Sequence, residues 1–262
     1  MLFRSINFQN ADPIEGSLEY LSLFHRLGLR VFQLTYQRRN LAGDGCGEPG
    51  DGAGLSIFGQ ELVRELNRLG ILIDLSHCSD RTTEEAIALS EQPVAFTHVN
   101  VRELNPHKRN KPEAQMKAVA AGGGVIGINS IARMISPEGR QKGTTIDDYL
   151  DQIDHVVGLV GVDHVGIGLD RNEDPTAEDM DERRRTFLTR FPELRAGGDF
   201  PFETYYTRDL SMGSMLPLTT GLLERGYAEE DVLKILGGNF LRLLEQVWAA
   251  GPAGVGGTSL GS

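Results

Sequence analysis

Residues 72–79 read LIDLSHCS, and this stretch decides the fold. Its aliphatic residues predict a buried strand that ends at His77. The run PVAFTH, residues 93–98, predicts a second strand that ends at His98. Continuous apolar runs of this kind are typical of parallel sheets, whose functional groups collect at the carboxyl ends of the strands. We therefore expect the two imidazoles to lie at one edge of one sheet.

The rest of the chain alternates short apolar runs with longer amphipathic segments, which predicts an α/β fold with a parallel sheet. Strands are predicted over 2–8, 29–36, 71–77, 93–98, 124–129 and 164–170, and helices over 17–27, 58–69, 82–90, 145–160 and 229–249. Six strands are fewer than the eight of a closed (β/α)8 barrel. One domain is expected over 1–250, with a long loop or helical excursion over 171–200 and a flexible tail over 251–262.

Two of the helices carry sequence signals for their first residue. Thr82 with Glu85 three residues later predicts a capping box at the start of the helix over 82–90. Thr145 and Asp148 open the helix over 145–160.

Composition excludes several classes of partner. The chain has 262 residues and a formal charge of −11, which disfavours binding to nucleic acid or to an anionic membrane. No apolar stretch is long enough to span a bilayer, and the first ten residues do not resemble a signal peptide. Cys46 and Cys78 form no disulfide framework, which favours a reducing, cytoplasmic compartment.

A third predicted strand also ends on a residue that can do chemistry. The run HVGIGLD, residues 164–170, places Gly166, Gly168 and Asp170 on one side of a strand. The two glycines are expected to leave room for a ligand next to the carboxylate. One histidine at a strand end is more often structural than functional, but three reactive strand ends in one chain favour a site.

Two imidazoles and a carboxylate form a ligand set suited to zinc. Glu15, in the sequence DPIEG, is the best candidate for a further carboxylate, although by itself it is typical of an acid at a helix amino terminus. The other histidines considered are expected to be structural or exposed: His25, His155 and His164.

Two further segments are expected near the same edge. In NPHKRN, residues 105–110, Arg109 can bind a substrate carboxylate with two parallel hydrogen bonds, unless the segment is simply a solvated turn. The loop GDGCGEPGDGAG, residues 43–54, has no lysine and no phosphate-loop spacing, so nucleotide binding is disfavoured. Residue types and spacing together indicate a metal-dependent hydrolase.

Longer stretches of the chain resemble the renal (membrane) dipeptidases, metallopeptidases of the amidohydrolase barrel superfamily. The resemblance covers almost the whole chain, in motifs that occur in the same order: IEG, LGLRVFQLTYQRRN, GLSIFGQELVRELNRLGILIDLSH, PVAFTHVNVRELNPHKRN, GGGVIGIN, VGVDHVGIGLD and LTTGLLERGYAEEDVLKILGGNFLRLLEQVW.

The resemblance implies a (β/α)8 barrel that hydrolyses dipeptides at a two-zinc centre. It implies that Glu15 bridges the two metals and that His77 and His98 bind the second zinc. It also implies that Arg109 holds the terminal carboxylate of the substrate and that Asp170 moves protons at the scissile bond.

Two departures from the family pattern qualify this interpretation. The family's first strand ends in a His-x-Asp pair that binds the first zinc, and no His-x-Asp occurs in this sequence. We therefore expect an N-terminally incomplete barrel from a longer protein, with one zinc ion or none in this chain. Tyr36 stands where many members have a histidine, and its hydroxyl can still donate a hydrogen bond to an oxyanion.

Three functions stay open on the sequence alone. The first is a zinc dipeptidase that acts on small dipeptides. The second is another amidohydrolase, acting on lactones or N-acyl amino acids. The third is a non-catalytic remnant that binds a metal or a peptide. Independently of the function, an incomplete sheet would favour a homodimer.

Overall fold

The computed structural model describes residues 5–50, 52–171, 177–190, 205–211 and 213–252. Six parallel strands in this part of the chain form one sheet in the order β1 to β6: Ile6–Phe8, Leu29–Gln33, Leu72–Asp74, Ala95–Val99, Val125–Ile128 and Val165–Ile167. Each strand pairs with the next along the chain. This is the order of successive strands in a (β/α)8 barrel, and it confirms the predicted α/β class.

Eleven helices in the described ranges, α1 to α11, connect or follow the strands. Their bounds are Glu19–Arg26, Ile57–Leu69, Asp80–Leu89, Glu113–Ala121, Ala132–Ile135, Gly139–Lys142, Ile146–Val160, Ala177–Arg190, Leu216–Glu224, Glu229–Leu233 and Asn239–Ala249. None of these helices is both long and apolar enough to cross a membrane.

Capping side chains fix where the central helices begin. The Ser56 hydroxyl accepts a hydrogen bond from the Gly59 amide at the start of α2, and Gly70 ends that helix in the left-handed conformation with φ of 67°. In α7, Thr145 and Asp148 form the expected capping box.

The two faces of the sheet pack against different layers. On one face, β2 to β5 contribute Phe32, Ile73, Phe96 and Ile126 to the main core, which includes buried residues of α2, α4 and α7. On the other face, Leu72, Ala95 and Val125 pack against Leu243 and Val247 of α11. Burial of these aliphatic side chains supplies the main driving force for folding.

Helix α11 lies across the amino ends of the strands. The side-chain amide of Asn239 donates hydrogen bonds to two carbonyls, at 2.7 Å to Val162, just before β6, and at 2.8 Å to Val165, the first residue of β6. Arg242 donates to the carbonyl of Gly123, which precedes β5. Because α11 covers this end, the carboxyl end of the same face is left for polar groups.

Several predicted boundaries were wrong. The strand predicted to end at His77 stops at Asp74, and the one predicted to end at Asp170 stops at Ile167, so both residues lie in the turns that follow. The helix predicted over 229–249 is interrupted by a wide turn over 234–238.

The capping box predicted at Thr82 was also wrong. Helix α3 begins two residues earlier, because the Ser79 hydroxyl accepts a hydrogen bond from the Thr82 amide. Glu85 instead accepts a hydrogen bond from the Leu55 amide at 2.7 Å.

The expectation that two glycines leave room for a ligand was wrong as well. A side chain at Gly166 would meet the Phe240 ring of α11 at 2.6 Å, and one at Gly168 would meet the Thr97 carbonyl at 1.9 Å. The space is already filled by protein. Parts of three predicted segments, over 2–8, 171–200 and 251–262, lie outside the described residues.

Candidate active site

The site begins at the end of β3, where the chain turns away from the sheet. Asp74 is the last residue of the strand, and Ser76 and His77 follow it in a buried turn. The Asp74 carboxylate accepts hydrogen bonds from the Ser76 amide at 3.0 Å and from the Ser76 hydroxyl at 2.6 Å. These bonds hold the turn that carries His77.

The neighbouring strand β4 brings His98 to the same place. The ring centroids of His77 and His98 lie 5.1 Å apart, and both side chains are buried. The Tyr36 ring stacks on His77, with ring centroids 4.2 Å apart and an angle of 23° between the planes. The structure thus brings together His77, His98 and Tyr36 from three neighbouring strand ends.

Burial keeps both imidazoles neutral. It lowers the pKa of His98, and burial together with the nearby Arg109 cation holds the pKa of His77 well below its usual value. A neutral imidazole is the form that binds a metal. The histidine pair is therefore in the protonation state that a metal site needs at neutral pH.

The two rings also have nitrogen atoms to offer. His77 Nδ1 and His98 Nε2 are buried and have no hydrogen-bond partner in the described part of the chain. Buried polar atoms are rarely left without a partner, so the two nitrogens are candidate ligands for an ion. The donors match two ligands of a zinc ion, which usually takes three or four from the protein.

Glu15 does not join the histidines. It ends a short turn after β1 with φ of 49°, is exposed, and lines a small surface pocket with Ala11, Asp12, Gly16 and Leu41. Among the described residues, no group of three or more His, Cys, Asp or Glu side chains lies close enough to hold a metal. The metal-bridging role of Glu15 stays a prediction.

Arg109 is buried against the two histidine segments. Its guanidinium donates hydrogen bonds to the Ser76 carbonyl and, at 3.2 Å, to the His98 carbonyl. Only 5% of Arg109 is exposed, so the alternative of a solvated turn was wrong for this residue. The Arg109 guanidinium thus links the turn after β3 to β4. Its remaining N–H groups are the donors that a substrate carboxylate could use.

Asp170 lies in the turn after β6 with φ of 51° and is exposed. The Asn129 side chain donates a hydrogen bond to its carboxylate at 3.3 Å. Asn129 is itself held by Asn100, whose side-chain oxygen accepts a hydrogen bond from the backbone N–H of Asn129 at 3.2 Å. These hydrogen bonds hold an exposed carboxylate just beyond the carboxyl end of β6, on the edge of the sheet that carries the histidines.

Tyr36 is a hydrogen-bond donor at this edge. Burial and then the Asp170 charge raise the pKa of its hydroxyl to about 12. The phenol therefore keeps its proton across the physiological range.

The glycine-rich loop packs directly against the site. The Cys46 amide donates to the His77 carbonyl at 2.8 Å. The Asp44 carboxylate, almost fully buried, holds the loop through Arg39 and the Ala53 amide. The loop therefore supports the turn that carries His77.

Lys111 fixes the other side of the same turn. Its ammonium group is fully buried and donates to the Cys78 carbonyl at 2.7 Å and to the Thr83 hydroxyl at 2.9 Å. Burial lowers the pKa of Lys111 to about 8.

Sequence reasoning missed five polar residues at this edge: Asp74, Ser76, Thr97, Asn100 and Asn129. Four of them lie at or just beyond the carboxyl end of a strand, and Thr97 lies in the middle of β4. The rule that identified the histidines would have selected the four at strand ends had it been applied to every polar residue there.

Comparison with known proteins agrees with this geometry. The family model "Membrane dipeptidase (Peptidase family M19)" matches residues 3–183. Dipeptidase tcpJ of Claviceps purpurea is 30% identical over 241 residues, which are 91% of this chain and 49% of that protein. The chain thus spans about half the length of the curated relatives it matches.

Two solved structures share the architecture. An amidohydrolase from Pseudomonas aeruginosa is 34% identical with a TM-score of 0.81, covering 93% of this chain and 72% of that one. A metallopeptidase from Rhodobacter sphaeroides, solved with a phosphinate mimic of the dipeptide L-Ala-D-Ala, is 27% identical with a TM-score of 0.75, covering 93% and 63%. The chain belongs to the membrane dipeptidase family, peptidase family M19.

Proposed function

We propose that this chain carries metal-binding and substrate-binding residues of a zinc dipeptidase, which hydrolyses the peptide bond of small dipeptides. The observation that carries the proposal is the pair of buried imidazole nitrogens without partners, His77 Nδ1 and His98 Nε2. They lie at the carboxyl edge of a parallel sheet, next to a hydrogen-bond donor, Tyr36.

His77 and His98 would hold zinc, and a bound zinc ion would supply an acidified water and a polarised carbonyl. Asp170 takes the proton of the attacking water and passes it to the leaving amine. The Tyr36 hydroxyl donates a hydrogen bond to the oxygen that becomes negative in the transition state. Arg109 binds the free carboxylate of the dipeptide.

The experiment measures bound zinc per chain and hydrolysis of a dipeptide panel, with and without added zinc. L-Ala-D-Ala is the first substrate to test, since its mimic binds the Rhodobacter sphaeroides relative. We expect zinc-dependent hydrolysis that His98→Ala abolishes and that His155→Ala leaves intact, because His155 pairs with Glu113 instead. Zinc binding without hydrolysis of any dipeptide would contradict the proposal.

Capped substrates distinguish the dipeptidase from other amidohydrolases. Because Arg109 favours a free carboxylate, amidation of the dipeptide carboxyl terminus is expected to reduce turnover strongly. Equal turnover of capped and free dipeptides, or preferred turnover of lactones, would favour a different amidohydrolase activity.

Three further features belong to the same proposal. We propose two zinc ions in the complete site and one or fewer in this chain, a cytoplasmic location, and a homodimer. Metal analysis, cell fractionation and sedimentation test these in turn.

A further inference from the structure

Asp74 is a buried carboxylate whose hydrogen bonds link the two histidine segments. It is 4% exposed and accepts four hydrogen bonds. Two come from Ser76, and two come from Thr97, from its amide at 3.1 Å and from its hydroxyl at 2.7 Å. An ionised carboxylate can only accept hydrogen bonds, and each of these four groups can donate one.

The Thr97 hydroxyl lies between Asp74 and His98. It has one proton, and the ionised carboxylate takes that proton in a hydrogen bond. The second short contact of the hydroxyl is with His98 Nδ1 at 2.7 Å. Since the hydroxyl has no second proton to donate, His98 Nδ1 must carry a proton and donate it to Thr97 Oγ1.

This arrangement determines the other nitrogen of the ring. A neutral imidazole has one N–H, so a proton on Nδ1 leaves Nε2 with a lone pair. His98 Nε2 is the buried atom without a partner in the described residues. Ser76 adds a second restraint, because its hydroxyl accepts a hydrogen bond from the His98 amide at 3.0 Å.

We propose that Asp74, acting through the Thr97 and Ser76 hydroxyls, is a positioning residue that fixes the Nδ1–H tautomer of His98 and presents its Nε2 lone pair to a metal. The metal-directed half of this inference rests on the proposed dipeptidase function, while the tautomer does not. Partners that orient metal-binding histidines in this way typically contribute 10–100-fold in metal affinity.

Asp74→Asn gives the sharpest test because it keeps the shape of the side chain and reverses one hydrogen bond. The amide oxygen can accept the Ser76 and Thr97 amides, while the amide nitrogen donates to Thr97 Oγ1. The threonine proton then turns to His98 Nδ1, and the ring proton moves to Nε2. Imidazole 15N chemical shifts of the metal-free protein report which nitrogen carries the proton.

In the wild-type chain we expect a protonated Nδ1 on His98, and in Asp74→Asn a protonated Nε2 with zinc affinity reduced by about 10–100-fold. The matched control is Asp80→Asn, another carboxylate-to-amide change, whose side chain pairs with Arg102. It is expected to leave the His98 shifts and the zinc affinity unchanged. A protonated Nδ1 in Asp74→Asn, or a protonated Nε2 in the wild type, would overturn the proposal.

A second pair of variants covers a failure of Asp74→Asn to fold. Thr97→Ser keeps the hydroxyl and should keep the wild-type tautomer of His98. Thr97→Val removes the oxygen that accepts from His98 Nδ1, so the Nδ1–H tautomer should no longer be favoured. An unchanged tautomer in Thr97→Val would overturn the inference.

Zinc titration separates the two proposals. Unchanged zinc affinity in Asp74→Asn with a reversed tautomer would overturn the metal-directed half. A wild-type chain that shows the expected tautomer, and yet neither binds zinc nor cleaves dipeptides, would remove the proposed function and leave the tautomer assignment standing.

Discussion

The turn after β3 and strand β4 differ sharply from the turn after β1, although all three segments carry candidate metal ligands. His77 and His98 are both buried. His98 is bonded across to Ser76 and Arg109 through its backbone, and to Thr97 within β4 through its ring. Glu15 is exposed and follows a three-residue strand that pairs, in the described sheet, only with β2. Ligands between two paired strands are preorganised, whereas a ligand beyond the outer strand is not.

The largest expected effect tests this contrast directly. His98→Ala should weaken zinc binding by at least about 100-fold, since even the partners of metal ligands contribute 10–100-fold. Glu15→Ala should weaken it much less, because Glu15 lies apart from the histidines. Zinc titration of both variants checks this, and equal losses would show that Glu15 reaches the same ion.

Tyr36 allows the preorganised region to be examined without disturbing its packing. Tyr36→Phe keeps the ring that stacks on His77 and removes only the hydroxyl. Loss of one donor to an oxyanion typically lowers kcat by about 100-fold or more with little change in KM. Tyr20→Phe, at a residue 42% exposed on α1, is the control. Unchanged kcat in Tyr36→Phe would exclude Tyr36 from the reaction.

Arg109 tests how the two histidine segments are joined. Arg109→Met removes the donors to the Ser76 and His98 carbonyls and leaves both buried, which costs about 2–4 kcal/mol of unfolding free energy. For a chain of this size we expect Tm to fall by roughly 10 °C. The exposed Arg64→Met on α2 should leave Tm nearly unchanged. A small shift in Arg109→Met would mean that the strands hold the site without the arginine.

Lys111 gives the smallest effect, a dependence of stability on pH. The folded chain holds the pKa of Lys111 at about 8, below its ordinary value of 10.5, so between these values the unfolded chain binds more protons. Stability therefore rises with pH in this window, by about 2 kcal/mol between pH 8 and 10. Burial raises the pKa of Cys78 to about 11, which acts in the opposite direction above pH 9.

The difference between wild type and Lys111→Met reports the titration of the lysine together with its effect on Cys78, because the nearby ammonium group lowers the pKa of that thiol. Denaturant unfolding at pH 8, 9 and 10 should give a rise in the wild type that the variant lacks. Lys117→Met, at an exposed lysine, should keep the wild-type slope. Parallel pH profiles for wild type and Lys111→Met would show that the buried ammonium does not titrate there.

Local sequence rules predicted most helices and strands and the proximity of the two histidines. They failed where contacts with residues distant in sequence determine the local structure. Alternation of strands and helices was enough to place His77 and His98 at one edge. Ser79 and Thr82 are both plausible caps, and local spacing could not choose between them. The choice depends on Glu85, which is engaged by the Leu55 amide thirty residues away in sequence.

The contents of the site were harder to predict for the same reason. Phe240 fills the space beside Gly166 from the far end of the chain. The buried hydrogen bonds of Arg109 depend on carbonyls of two other segments. From the sequence, Asp74 is an ordinary polar residue at a strand end. Its role depends on four donors, two of which come from Thr97 on the neighbouring strand.

Two of the three non-glycine residues with positive φ in the described chain are Glu15 and Asp170. A left-handed backbone costs such residues up to about 1 kcal/mol, which glycine would recover. Under mutation without selection for chemistry, both positions would drift toward glycine, since that change improves folding. A carboxylate at a conformationally unfavourable position is a candidate for a functional role, so sequencing neutral-drift libraries of this chain, with and without selection for hydrolysis, would show which acids the chemistry needs.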